Sequence, residues 1–368
     1  MNVLVIFGTR PEAIKMAPII HEFERVKANV SVCVTGQHRF MLDQVLNVFG
    51  ITPEFDLEIM EQGQSLVSIG KKIFDRLPPV IELLDPDVIL VHGDTSTSNF
   101  AAQVAFNLNV PVAHVEAGLR TFDLRSPWPE EANRQIVRIC SDIHFCPTEV
   151  AADNLRREHV AEADIFVTGN TVIDALMFAV NTIAVDESIG GQFLERHPEI
   201  VRDRETILVT GHRRENFGQG FESICNALRS IALDRPETQI VYPVHLNPNV
   251  KLPVHEILSG ISNVFLIEPQ GYLEFIYLMS MASLIITDSG GIQEEAPSLG
   301  KPVIVMRDTS ERPEAEASGH SVLVGTDAEK IRRVAFERLR EGELTRDNPY
   351  GDGQAARRIV DALVSKYK

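Results

Sequence analysis

The sequence predicts an α/β protein built from two Rossmann-like domains, and three observations carry that expectation. Short β-branched runs alternate with longer segments of helical period, the signature of parallel sheets wound with helices on both faces. The alternation restarts after Gly169-Asn170. At 368 residues the chain is also too long for one comfortable core and suits two domains of ordinary size.

In the first half the strands are expected at Val3–Phe7, Val30–Val34, Val88–Val91, Val112–Val115, Ile143–Phe145 and Ile165–Val167. Helix-like stretches at Ile14–Val26, Leu66–Leu84 and Ala101–Asn107 lie between them. The second series has strands at Ile207–Val209, Ile240–Tyr242, Val264–Ile267, Leu284–Ile286 and Val303–Val305, with helices near Phe221–Leu233, Leu273–Met281 and Gln293–Leu299. The region Gly169–Arg204, with Gly190-Gly191 and a polar stretch, reads as the connection. The expected domains are thus 1–170 and 171–353, with a final amphipathic helix in 354–368 that packs back on the first domain.

Composition narrows the function classes. A hydrophobic fraction of 44% and a charged fraction of 24% are those of a soluble globular protein. No apolar run approaches the roughly 18–20 residues needed to span a bilayer, and the chain opens on a strand without a basic leader, so a cytoplasmic location is expected. The net charge of −17 disfavours nucleic acid or an anionic membrane as partner. Cys33, Cys140, Cys146 and Cys225 form no C-x-x-C pair, which argues against a zinc ribbon or redox motif.

Ligands of open α/β sheets bind beyond the carboxyl ends of the strands, so the residues just after each strand matter most. Thr287-Asp288-Ser289-Gly290-Gly291 ends a strand and must open a helix. Backbone N–H groups at small residues there can approach a phosphate, and one of Glu294 and Glu295 can accept ribose hydroxyls while the other faces solvent. Phe7-Gly8-Thr9-Arg10-Pro11-Glu12 opens another helix, with Arg10 as a cation and Lys15 further on. No G-x-G-x-x-G or G-x-x-x-x-G-K-[ST] occurs, so neither NAD nor a P-loop nucleotide is indicated. His212, in Thr210-Gly211-His212-Arg213-Arg214, is placed to donate to a phosphate, the segment Gln270 to Phe275 can stack a base through its aromatics although Phe275 suits the core equally by spacing, and Arg307 and Arg312 complete a cationic rim. Asp94 follows one strand and can serve either as helix cap or in chemistry; Glu116 follows another with no helix to cap, and Glu130 and Glu131 open a helix. Three such acids at strand and helix ends suit proton transfer at carbon.

These motifs together resemble the non-hydrolysing bacterial UDP-N-acetylglucosamine 2-epimerases: Gly8-Thr9-Arg10-Pro11-Glu12-Ala13-Ile14-Lys15, His92-Gly93-Asp94, His114 to Arg120, Gly211 to Asn216, and Asp288 to Glu295. The resemblance spans essentially the whole chain. It implies a GT-B-like pair of Rossmann-like domains facing each other across a cleft, a homodimer, and interconversion of UDP-GlcNAc and UDP-ManNAc with no cofactor and no metal, for surface polysaccharide. By motif, Arg10, Ser289, Gly290, Gly291, Glu295, His212 and Phe275 would hold UDP, with Lys15, Gln270 and Arg312 beside them, and Asp94, Glu116 and Glu130 would be the acid/base groups, with His212 assisting. Gln37 and His245 match positions of a second, activating UDP-GlcNAc site, whereas Phe40 and Gly63 stand where some regulated members have polar side chains.

The C2 hydrogen of the sugar is not acidic, so departure of UDP from C1 together with the hydrogen at C2, giving a 2-acetamidoglucal, is the expected course; the proton returns to the opposite face. A hydrolysing epimerase and a GT-B glycosyltransferase are the alternatives sharing the fold. Two readings from other classes are a metallohydrolase using His92/Asp94 and His114/Glu116, and a nucleotide-sugar sensor without catalysis.

Overall fold

The structure is a computed structural model that describes residues 1–36, 39–61, 63–309 and 312–367. The chain divides into two compact units, Met1–Ala175 with Tyr350–Lys368, and Leu176–Pro349.

The first unit is a seven-stranded parallel sheet. Its strands are β1 (Asn2–Phe7), β2 (Asn29–Val34), β3 (Phe55–Asp56), β4 (Val88–His92), β5 (Val112–Val115), β6 (Ile143–Cys146) and β7 (Ile165–Val167), in the order β3-β2-β1-β4-β5-β6-β7. Central strands of such a sheet are covered on both faces and read as unbroken apolar runs; Leu4 to Phe7 and Ile89 to Val91 are fully buried accordingly. Leu4 and Ile6 face one way, into a core with Ile69, Ile73, Leu77, Ala101 and Ala105. The expected helix Leu66–Leu84 is two helices, Leu66–Arg76 and Pro78–Leu84, because Pro78 lacks the N–H needed to continue one and suits the first position of the next.

The second unit carries β8 (Thr206–Thr210), β9 (Gln239–Pro243), β10 (Val264–Ile267), β11 (Leu284–Thr287), β12 (Val303–Val305) and β13 (Ser321–Leu323), in the parallel order β10-β9-β8-β11-β12-β13. This is the 3-2-1-4-5-6 order of a dinucleotide-type fold. Side chains alternate between its two faces: Ile207 and Val209 pack with Phe221, Ile224 and Leu228, whereas Leu208 packs with Leu176, Phe193 and Leu278.

The stretch expected as a loose connection is helical, Thr171–Val185 followed by Ser188–Arg196. Gly190 is there for packing: a Cβ on it would lie 2.6 Å from the ring of Tyr277. The last helix, Ala355–Lys366, packs on Arg10–Arg25, and its first N–H groups at Ala355 and Ala356 donate to Asp174 at 3.2 and 2.9 Å. No helix among the described residues is long and apolar enough to cross a membrane.

Candidate active site

Each sheet reverses its strand order at one point, between β1 and β4 in the first unit and between β8 and β11 in the second. Such reversals open a crevice at the carboxyl ends of the strands, and the motifs read from the sequence fall there. In both units a buried carboxylate bridges the two loops. Glu12 accepts from the N–H of Gly8 (3.0 Å) and Thr9 (2.8 Å) after β1, and from the hydroxyls of Thr95 (2.6 Å) and Ser98 (3.0 Å) after β4. Asp288 accepts from the N–H of His212 (2.9 Å) and Arg213 (2.8 Å) after β8 while itself following β11. Sequence reasoning gave neither residue this role.

Asp94 is not the cap of the helix Ser96–Asn107. Thr95 is, its hydroxyl accepting from Ser98 N–H, which leaves the Asp94 carboxylate to Arg134 at 2.7 and 2.9 Å. Glu116 holds the left-handed backbone, φ 63°, an uncommon conformation for a residue with a side chain. Its Oε2 meets Lys15 and the amide of Asn170, the latter at 3.0 Å. Lys15, a surface-cation candidate by sequence, is therefore largely buried in an ion pair. His92 Nε2 lies 3.7 Å from the same oxygen, buried and without a hydrogen-bond partner among the described residues, and burial lowers its pKa.

The adjacent acids Glu130 and Glu131 separate cleanly. Glu131 is buried and accepts from Thr121 N–H (3.0 Å), Phe122 N–H (3.1 Å), Arg134 (2.9 Å) and Gln135 (3.0 Å). Burial raises its pKa, yet these donors hold it below the ordinary carboxylate value. Glu130 keeps a buried oxygen, Oε2, with no hydrogen-bond partner among the described residues. Arg120 belongs to the scaffold, paired with Glu158 at 2.6 and 2.9 Å. Of the residues of the metal-site alternative, Asp94 is held by Arg134 and Glu116 by Lys15 and Asn170, His114 Nε2 donates to the carbonyl of Gly93 at 2.8 Å, and no group of three potential ligands gathers among the described residues. Arg10 is exposed at the first helical position after Thr9.

In the second unit Ser289 stands at the N-cap position of the short helix Gly290–Glu295, without a side-chain capping hydrogen bond among the described residues. Glu294 and Glu295 are both buried, which corrects the expectation that one faces solvent. Glu294 takes the guanidinium of Arg312 at 2.8 Å, and that guanidinium passes so close to Gly290 that a Cβ there would lie 3.2 Å from its Cζ. Arg307 is likewise buried, donating to Glu215 at 2.7 Å, so it is no open rim cation. Arg213 has a buried Nε with no hydrogen-bond partner among the described residues. His212 is half-exposed and stacks on His245, ring centroids 5.7 Å apart. Gln270 donates to the carbonyl of Glu268 at 2.6 Å, and Phe275 is half-buried at the start of Tyr272–Met281. Gln37 lies outside the described residues.

The family model described as UDP-N-acetylglucosamine 2-epimerase matches residues 21–364. The chain belongs to the UDP-N-acetylglucosamine 2-epimerase family. A UDP-N-acetylglucosamine 2-epimerase of Yersinia pestis is 56% identical over 99% of this chain and 98% of its own length. One of Escherichia coli (strain K12) is 54% identical over the same shares. The crystal structure of UDP-GlcNAc 2-epimerase from Neisseria meningitidis bound to UDP-GlcNAc is 48% identical, covers 99% of this chain and 100% of that one, and superposes with a TM-score of 0.91. The epimerase resemblance drawn from the motifs is thus the family that the comparisons give. Beyond the expected residues, the structure adds Arg134 beside Asp94 and Asn170 beside Glu116; the sequence signal for both was only their proximity to a motif or strand end.

Proposed function

We propose that the protein reversibly converts UDP-GlcNAc to UDP-ManNAc by eliminating UDP to a 2-acetamidoglucal and adding it back, without releasing free sugar. The observation that carries this reading is full-length kinship with an epimerase crystallised with UDP-GlcNAc. In the first unit Asp94, Glu116 and Glu130 are the acid/base groups. The unpartnered buried oxygen of Glu130 supports its choice over Glu131, since a carboxylate already accepting four hydrogen bonds has little capacity left to move a proton. In the second unit Ser289, Gly290, Gly291 and Glu295 receive the nucleotide diphosphate and ribose, and Gln270 and Phe275 flank the base. His212, its backbone fixed by Asp288 and its ring exposed, and Arg213, with its unused Nε, supply donors for the leaving diphosphate. Arg10 adds cationic charge, whereas Lys15 and Arg312 act through the carboxylates they hold, Glu116 and Glu294. His245, stacked on His212, is the candidate for a regulatory contact, together with Gln37.

The protein is proposed to act in the cytoplasm as a homodimer. Val67, Phe106, Ile136 and Ile139 are exposed on three helices packed side by side, Leu66–Arg76, Ser96–Asn107 and Glu130–Cys140, which supports this face as the dimer contact. Incubation with UDP-GlcNAc followed by proton NMR tests the reaction. An equilibrium mixture of the two UDP-sugars, unchanged by EDTA, is expected; accumulation of free ManNAc and UDP would instead identify a hydrolysing enzyme, and no turnover without an added acceptor would identify a glycosyltransferase.

A further inference from the structure

We propose that Asn170 is a positioning residue that aims the Glu116 carboxylate and ties it to the points where the chain leaves and re-enters the first unit. This rests on the reading of Glu116 as a proton-transfer group. Lys15 and Asn170 both donate to Glu116 Oε2, and they differ in kind. Lys15 is a compact charge on a flexible four-carbon stem and imposes little direction. Asn170 is short, buried, and fixed at every other polar group. Its Oδ1 accepts from Val172 N–H at 3.0 Å, its carbonyl accepts from Ile173 N–H at 3.1 Å, and its own N–H donates to the carbonyl of Tyr350 at 2.7 Å. With Oδ1 committed to the helix Thr171–Val185, the amide cannot flip, and Nδ2 is the end that faces Glu116 at 3.0 Å.

The helix-capping duty alone does not explain an asparagine. Asp or Ser would cap equally well through an oxygen; only the donor end distinguishes Asn. That donor serves a carboxylate whose backbone is held at φ 63°, so the direction of the Glu116 side chain depends on contacts beyond its own strand.

The bond to Tyr350 extends the link. The chain passes out of the first unit just beyond Asn170 and returns at Tyr350. Beside that bond the two segments are in close contact: Gly169 has φ 90°, and a Cβ there would lie 3.3 Å from the Tyr350 carbonyl oxygen and 3.4 Å from Gly351 Cα. A displacement of either segment is therefore carried through Asn170 to the Glu116 carboxylate. His92 and Lys15 are the titratable groups that also face this carboxylate.

Asn170→Asp tests the assignment because it keeps the cap oxygen and replaces the donor with a second anion. The expected result is a kcat lowered roughly 10- to 100-fold, the loss that goes with one hydrogen bond to a charged group, with KM for UDP-GlcNAc within about threefold and a melting temperature lowered by the repulsion between the two carboxylates. Two carboxylates sharing one place hold a proton more tightly, so the acid limb of the kcat/KM profile should also move to higher pH. Asn170→Ser, which caps without placing a charge there, should lower kcat in the same range without that shift. Glu116→Gln is measured beside them. If it is inactive while both Asn170 variants keep parental kcat and pH profile, the positioning role is overturned and the reading of Glu116 stands. If Glu116→Gln keeps parental kcat, the reading of Glu116 falls and the positioning role with it.

Discussion

Replacing Glu130 and Glu131 one at a time by Gln should separate chemistry from architecture at neighbouring positions. Glu131 is fully buried and accepts four hydrogen bonds, two from the backbone at Thr121 and Phe122 and two from Arg134 and Gln135. The amide cannot accept at its nitrogen, so one of the two backbone N–H groups loses its acceptor and the ion pair with Arg134 is gone. Breaking a buried pair costs about 3–5 kcal/mol. Arg134 retains Asp94 at 2.7 Å, which keeps its charge from being stranded and places the cost near the low end, about 3 kcal/mol. For a unit of this size that corresponds to a melting temperature lower by roughly 6–12 °C. Glu130 has no such network on Oε2, so its amide should cost under about 1 kcal/mol in stability yet lower kcat by roughly 100-fold or more. Thermal melts by circular dichroism and steady-state kinetics on the same preparations decide it. Equal melting temperatures for the two variants, or parental kcat in Glu130→Gln, would refute the division.

Acid should destabilise the fold through its buried histidines: burial pushes His114 down to about 3 and His144 to about 4, against about 6.5 in an unfolded chain. The unfolded state then binds up to two more protons, so their contribution is complete above pH 6.5 and is lost as pH falls towards 4, about 3–4 kcal/mol between pH 7 and pH 5. Urea midpoints at the two values test this, and an unchanged midpoint would contradict it. Gly290→Ala should shift the Arg312 guanidinium by a few tenths of an ångström against Glu294, 3.2 Å being tighter than a relaxed Cβ contact. The expected result is a fold retained and UDP bound roughly tenfold more weakly by calorimetry; parental affinity would show that this pair does not shape the nucleotide site.

The sheet cores were legible because β1, β4, β8 and β11 are apolar runs bounded by turn residues. β3 and β13 were not: Phe55–Asp56 is two residues long, and Ser321–Leu323 is marked only by the short apolar run Val322-Leu323-Val324. Thr171–Val185 escaped notice for the opposite reason, being apolar around so much of its circumference that no single stripe stands out. The motifs fall at strand ends, where open sheets of this kind bind their ligands. What they could not give was which carboxylate of a pair is held by the scaffold. Glu131, Glu294 and Asp288 are engaged by backbone N–H groups or arginines distant in sequence, contacts that exist only once the chain is folded. Glu12 alone carried a local signal, the Thr9-x-x-Glu12 spacing of a capping box.

In the proposed reaction the hydrogen at C2 leaves and a different proton returns. Turnover of UDP-GlcNAc in D2O, followed by proton NMR or mass spectrometry, measures this directly. Elimination and re-addition predict deuterium at C2 of UDP-ManNAc from the first turnovers and, on long incubation, small amounts of 2-acetamidoglucal with UDP. Complete conversion with the original C2 hydrogen retained would mean internal or hydride transfer and would contradict elimination and re-addition.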